Sequence, residues 1–410
     1  MSWEIYSLDQ IKSTIPYACV GGPFGSELTT RDYVDNGVPV VRGNNLSTDR
    51  RFHDDNFVFV SEEKGKALQS NSARPGDLVF TQRGTLGQVG LIPKEASYER
   101  YIVSQSQMKL TVDEKRARPE FVYYYFRQPA MIQLIKQRAI TSGVPHINLG
   151  ILKSLEIRLP GLAEQDRILA ILSGIDAGIE NNRRRMALLE EAARQLYREW
   201  FVRLRFPGHE HTRVTNGVPE GWESMPTPQA IQMNPSTPLS DADEHWWVEM
   251  ADLPTDSMVI QNAIKRDGRS GSKFRNGDTL FARITPCLEN GKTGFVNFME
   301  EDEVGRGSTE FIVLRSEKVT PEFVYCLART YDFREHAIKS MIGASGRQRV
   351  QESCFDKLMI LVPPKTLLAM FNDSVVPIFA QIKTLHAQNR RLRIARDLLL
   401  PRLMTGEVAI

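Results

Sequence analysis

Several short stretches of this chain carry residue types that could do chemistry. Asn290-Gly291-Lys292-Thr293 has the ending of a phosphate-binding loop. The first glycine of that motif is replaced by Pro286, however, and the flanks read strand–turn–strand where phosphate binding needs strand–loop–helix. Glu62-Glu63-Lys64 with Asp54 and Asp55 loosely mimics a nuclease set, but nothing equivalent occurs elsewhere. Asn234-Pro235-Ser236 lacks the aromatic that would stack a flipped adenine. Gly84-x-x-Gly87-x-x-Gly90 opens no helix, so it is not a dinucleotide fingerprint. His209-Glu210-His211 sits between Pro207-Gly208 and Pro219-Glu220-Gly221 and reads as linker. No catalytic apparatus and no metal site emerges.

What remains are loops rich in hydrogen-bonding side chains. The first half offers Gln82, Arg83, Gln105, Gln107, His146 and Asn148. The second offers Arg283, Asn290, Lys292, Ser308, Arg347, Gln348 and Arg349. Arginine suits guanine edges, glutamine and asparagine suit adenine edges, and serine, threonine and lysine suit phosphates. The loops recur at matching places with different residues, as expected of two readers of two different sequences.

The elements that must position these loops are themselves repeated. Gly-Asp-Leu-Val-Phe at 76–80 returns as Gly-Asp-Thr-Leu-Phe at 277–281, and Pro-Glu-Phe-Val-Tyr at 119–123 returns unchanged at 321–325. Each half then reaches a proline, Pro160 or Pro363, and enters a long helical stretch. Order and spacing hold throughout, which identifies a tandem duplication. Both globular segments read as mixed α/β with many short strands, among them Leu78–Phe80, Val89–Ile92 and Met108–Leu110 in the first. Thr279–Phe281, Gly294–Val296 and Phe311–Leu314 are their counterparts. The aromatic helix after Pro119 is expected in the core.

The helical stretches carry heptads. Leu172, Ile179, Met186, Ala193 and Trp200 form one series of the first, and Ile168, Ile175, Asn182, Leu189 and Leu196 the other. In the second, Val375, Ile382, Asn389, Arg396 and Leu403 alternate with Phe371, Ile378, Leu385, Leu392 and Leu399. Val375 follows Leu172 by 203 residues, a whole number of heptads, so the duplication kept the phase. One asparagine per seam fixes register, because misalignment leaves a buried amide unsatisfied. An antiparallel pair sets Asn182 against Asn389, Leu172 against Leu399, Ile179 against Leu392, Met186 against Leu385 and Leu189 against Ile382. Arg396, opposite Ile175, must snorkel or meet a partner. Pro377 is expected to kink or restart its helix. The arginine runs 183–185 and 390–391 read as solvated.

The expected fold is therefore α+β: two α/β domains separated by two long helices that form an intramolecular antiparallel coiled coil. The expected divisions are 1–158, 159–206, 207–362 (with a linker over 207–221) and 363–410. Composition is that of a globular protein, 41% apolar and 25% charged, with a mean hydropathy of −0.32. A net charge of +2 supplies no global field for nucleic acid, so any such binding rests on local patches. Cys19, Cys287, Cys326 and Cys354 are scattered and support neither a disulfide framework nor zinc. No apolar run spans a membrane, and a reducing cytoplasm fits best.

Leu159-Pro160-Gly161-Leu162-Ala163-Glu164-Gln165-Asp166-Arg167-Ile168, with Leu172-Ser173-Gly174-Ile175-Asp176, resembles the central conserved region of type I restriction–modification specificity subunits. Trp200-Phe201, Phe206-Pro207-Gly208 and Pro219-Glu220-Gly221-Trp222-Glu223 match its continuation. Leu398 to Val408 is similar to the terminal conserved region, and Gly307-Ser308-Thr309-Glu310-Phe311 and 284–292 to target-recognition domains. The resemblance covers the whole chain. The Glu-Gln at the start of the first helix has no copy in the second, where Leu367 and Leu368 stand, which implies unequal partner-docking surfaces.

The resemblance implies two target-recognition domains that each read half of a bipartite double-stranded DNA site. Helices of about 35–40 residues, reaching about 55 Å at ~1.5 Å per residue, would set the unread gap. It also implies docking of two methyltransferase subunits, which carry S-adenosylmethionine and methylate adenine. Two motor-nuclease subunits, with ATP and Mg, complete the restricting form. This chain would bring no cofactor and no catalysis, and would work in a prokaryotic cytoplasm. The alternatives are a modification-only specificity subunit, a non-DNA scaffold of two repeats, and a standalone enzyme with undetected motifs.

Overall fold

A computed structural model describes residues 3–47, 50–343 and 348–408. The chain divides into two compact units: Met1–Ala177 with Leu392–Ile410, and Gly178–Arg391. Both divisions fall inside long helices, Leu162–Tyr197 and Lys365–Met404, so each helix gives part of its length to each unit.

The first unit holds a four-stranded antiparallel sheet in the order Cys19–Gly21, Gln107–Leu110, Leu78–Thr81, Val89–Leu91. Beside it lies a five-stranded sheet whose central pair, Val38–Val41 with Tyr101–Val103, is parallel. The second unit repeats the plan. Ile231–Met233, Phe311–Ser316, Thr279–Ala282 and Thr293–Phe295 form the first sheet. A four-stranded sheet contains the parallel pair Glu244–Val248 with Gly305–Gly307. The linker carries a two-stranded hairpin, Val214–Thr215 with Val218–Pro219.

The repeated Gly-Asp has a local cause. Gly76 (φ 91°) and Gly277 (φ 87°) adopt the left-handed conformation that glycine tolerates. Each donates its N–H across the turn, to Ile92 O at 2.9 Å and Val296 O at 2.8 Å. The following aspartate accepts from the backbone three residues back: Arg74 N on Asp77 and Arg275 N on Asp278, both at 2.8 Å. The turn therefore needs both residues, and it launches the central strand of each sheet.

The helix Pro119–Phe126 is core on every side, with Phe121, Val122, Tyr123 and Phe126 fully buried. Its counterpart Pro321–Ala328 does the same with Phe323, Val324 and Tyr325. Each such side chain contributes about 1.5–3 kcal/mol through burial.

The two long helices pair antiparallel inside each unit. In the second, Asn182 meets Asn389, while Trp200 and Phe371 meet with ring centroids 6.1 Å apart. Ile179, Ile382 and Leu385 are buried there, and Met186 and Leu189 pack against the core as partly buried residues. In the first unit, Leu172 and Ile168 share a core with Leu400 and Leu403, and Leu399 packs against it. Leu392 is half-buried. Arg396, which the heptads leave opposite apolar residues, is buried against Asp176 at 2.9 Å. Of the arginine runs, Arg184 and Arg185 are exposed, while Arg183 is held 3.7 Å from Glu180.

Two expectations are corrected. The C-terminal helix runs through Pro377 without a break or restart. Phe371, Val375 and Phe379 are buried on either side of the proline, and that packing outweighs the roughly 3 kcal/mol an interior proline costs. Gln165 is no docking residue, since it is fully buried. Its Oε1 accepts from Arg118 N at 2.9 Å, and its Nε2 donates to Pro160 O at 2.9 Å and Arg116 O at 3.2 Å. It clamps the helix start to the first globular fold. Leu367 and Leu368 are likewise buried in the second unit, so the departure exchanges a polar joint for an apolar one.

Candidate nucleic-acid interface

In each unit, three loops far apart in sequence are drawn together at the ends of the sheets by backbone hydrogen bonds. In the first unit, Gln82 N donates to Ser106 O at 2.7 Å, and Ile147 N donates to Gln82 O at 3.0 Å. Arg83 bridges to His146, which in turn bridges to Ile140. In the second unit, Arg283 N donates to Glu310 O at 3.0 Å and Val350 N to Arg283 O at 2.8 Å. Ile284 bridges to Arg349, which bridges to Ile342. Gln82 and Arg283 thus hold the same place in the two copies, as do His146 and Arg349. The frame is shared and its side chains differ.

The candidate side chains separate into outward and structural groups. Arg83 is exposed and His146 partly so. The His146 Nδ1 lies 3.1 Å from Val144 O. A carbonyl only accepts, so Nδ1 carries the proton and a neutral ring presents Nε2 as an acceptor. Gln82 is half-buried. Gln105 is pinned, its Nε2 donating to Gly25 O at 2.5 Å and Leu28 O at 2.9 Å. Gln107 is buried and accepts from the Ser104 hydroxyl, beneath the loop and away from its rim. Asn148 caps the helix Leu149–Ser154, its Oδ1 accepting from Ile151 N at 2.9 Å.

In the second unit, Asn290 is exposed on the 283–292 connection between two antiparallel strands. Lys292 points its ammonium at Met250 O, 2.7 Å away, and so ties that connection down. Arg283 is held by Glu352 at 3.0 Å and by Val350 O at 3.2 Å. Ser308 Oγ accepts from Glu310 N at 3.2 Å. Gln348 N donates to Thr285 Oγ1 at 3.0 Å. Arg349 is exposed and paired with Glu310, whose carboxyl its hydrogen bonds hold below the usual range. Arg347 lies outside the described residues.

Sequence reasoning missed the loop that Gln105 holds. Phe24, at its tip, is 81% exposed, and Gly22 behind it is required, since a Cβ there would stand 2.0 Å from Ser104 O. The run Gly21-Gly22-Pro23-Phe24-Gly25 was the available signal. Among the described residues no group of His, Cys, Asp and Glu could hold a metal ion, and no helix is long and apolar enough to cross a membrane. The sites offer hydrogen-bond donors, acceptors and cations on a rigid frame, the chemistry of recognition.

The architecture is a mixed α/β unit used twice, with paired helices and duplicated polar loops. The type I restriction modification DNA specificity domain matches residues 26–191. The MjaIX specificity subunit of Methanocaldococcus jannaschii is 22% identical over 86% of this chain and 84% of its own length. The HindI specificity subunit of Haemophilus influenzae is 23% identical over 85% of this chain and 90% of its own. The crystal structure of a type I restriction–modification S subunit from M. genitalium shares the fold, with a TM-score of 0.54 at 14% identity over 98% of this chain and 96% of that one. The chain thus carries a type I restriction modification DNA specificity domain over residues 26–191 and is similar along most of its length to type I specificity subunits.

Proposed function

We propose that this chain is the DNA-recognition subunit of its complex, with each unit presenting its three-loop junction to one half of a bipartite site. The target-recognition segments are 1–158 and 207–362. The helices, continuous from one unit into the other, set the unread gap and dock two methyltransferase subunits. Those partners supply S-adenosylmethionine and the adenine chemistry; ATP and Mg belong to motor-nuclease subunits where these are present. This chain itself contributes no catalytic group.

One observation carries the reading. The junctions of Gln82 and Arg283 share a backbone frame and differ in side chain, which is what reading two unlike half-sites requires. A scaffold binding two like partners would need no such divergence.

The test is genome-wide adenine methylation in a methylation-free host expressing this chain with its neighbouring methyltransferase subunit. The expected result is a two-part motif with a fixed gap. Absence of added methylation, while the methyltransferase is soluble and bound to this chain, would refute the reading.

A further inference from the structure

The two units differ on the outer face of the sheet that contains the parallel strand pair. In the first unit that face is apolar and covered. Val38, Val40, Val58, Val60 and Ile102 share it by register. Leu28 and Leu68 close over it, and the helix Glu62–Ala67 lies so close that a Cβ on Gly65 would stand 2.7 Å from Val38 Cγ2.

The same positions in the second unit are cationic and aromatic. Register places His245 beside Arg266, Trp247 beside Ile264 and Arg306, and Arg306 beside Lys273. Directly paired residues share a face, so these six lie on one face with no acidic residue among them. His245 and Arg306 are buried in it, Arg306 beneath the 268–271 turn, while Trp247, Arg266 and Lys273 are partly exposed. The Arg266 and Arg306 guanidiniums lie over the Trp247 ring, 3.7 and 4.9 Å from its centroid. Arg306 is 2% exposed and carries no carboxylate partner. Its Nη2 donates to Arg266 O at 2.8 Å and to Asp267 O, its Nη1 donates to Ser270 O at 3.5 Å, and its buried Nε makes no hydrogen bond. Arg266 remains 41% exposed, with Glu249 3.4 Å away at the edge. Arg269 is exposed on the adjoining turn.

We propose that this face, the platform of Trp247, Arg266 and Arg306 with Lys273 and Arg269, is a phosphate-binding surface for the DNA backbone flanking the half-site of the second unit. The inference rests on the DNA-recognition reading. Charge selects the occupant: a desolvated guanidinium without an acid raises the local potential, and a second guanidinium is held rigid and outward on the indole. Position supports it too. The strand Gly305–Gly307 runs directly into Ser308–Glu310, one of the three loops of the junction, and Ser308 N donates to Val248 O at 3.1 Å. A duplex engaged by those loops would carry its backbone past the platform. The first unit has no such grip.

The experiment measures binding of the complete complex to a duplex bearing its methylation motif, across a range of salt. The complexes compared are wild type, Arg266→Ala, Lys273→Ala and Arg269→Ala. Each lost phosphate contact should lower the salt slope by about one and weaken binding about 3–10-fold, with the methylated motif unchanged. Arg269→Ala touches only an exposed turn and keeps the test valid if the platform variants fail to fold. An unchanged slope in all three variants, with wild type bound specifically, overturns this inference alone. Loss of methyltransferase assembly at unchanged DNA slope overturns it as well, in favour of an acidic protein partner. No site-specific binding by wild type overturns the DNA-recognition reading itself.

Discussion

Asn182 Nδ2 donates to Asn389 Oδ1 at 2.9 Å, and Asn389 Nδ2 donates to Ile179 O at 3.1 Å, inside the buried helix seam of the second unit. The pair satisfies itself, so its members are tolerable only together. Asn389→Leu should strand the Asn182 amide and lower stability of the second unit by about 1–3 kcal/mol. Replacing both by leucine should recover most of that loss while relaxing register. Denaturant titration measures both; a double variant as unstable as the single one would contradict this account.

Asp176 joins both long helices to the globular part of the first unit. It accepts from Tyr124 OH at 2.6 Å and pairs with Arg396 at 2.9 Å, with Arg51 3.5 Å away. Burial works to raise its carboxyl, and the Tyr124 hydroxyl and the arginines outweigh that, leaving it below the usual value of 3.8. A lowered carboxylate contributes stability that is complete above pH ~4 and lost as the pH falls through its folded value. Asp176→Asn should flatten that acid limb. Asp176→Ala should cost about 3–5 kcal/mol by taking the shared carboxylate from Tyr124 and the buried Arg396, which keeps only the exposed Asp397 at 3.0 Å.

Glu190 in the second unit behaves oppositely. Burial raises its carboxyl above the usual 4.5, only partly countered by the hydroxyl of Tyr325 and the amide of Met258. A raised acid favours the folded state most at low pH. Its contribution therefore declines as pH climbs from about 4.5 through the folded value. Stability curves of Glu190→Gln should lack this decline, and persistence of the decline in the variant would assign it elsewhere.

The buried Gln165 clamp makes a sharper claim. Gln165→Ala leaves Arg118 N, Pro160 O and Arg116 O without their side-chain partner. A loss of about 2–4 kcal/mol from the first unit is expected. Hydrogen exchange should show it as earlier opening at the start of the central helix, with the second unit unaffected.

Arg83 joins the junction frame through its main chain, and its side chain is exposed. Arg83→Ala should weaken or relax one position of one half-site, by about 1–3 kcal/mol if it contacts a base edge bidentately. The other half-site and the gap should persist. Methylome sequencing reads this directly, and an unchanged motif at unchanged occupancy would remove Arg83 from the interface.

The sequence disclosed what depends on local periodicity. Heptads place Asn182 against Asn389, and the repeated Gly-Asp marks a turn whose backbone needs both residues. It misled where a side chain finds its partner far along the chain. Gln105, Gln107 and Lys292 look like readers in isolation, yet their amides and ammonium are taken up by Gly25, Ser104 and Met250. Gln165 looked like a docking residue for the same reason. Pro377 reads as a kink or restart, and the restart is absent because propensity ignores the packing around it. The platform of His245, Trp247, Arg266 and Arg306 was invisible because it assembles from three strands.

The loops of each junction are fastened to one another through main-chain atoms: Gln82 N to Ser106 O in one copy, Arg283 N to Glu310 O in the other. Substitution does not delete a peptide group, short of introducing proline. The attachment is therefore indifferent to which side chains stand upon it. On the proposed reading, a change of target would ask only for new side chains on a frame that stays folded.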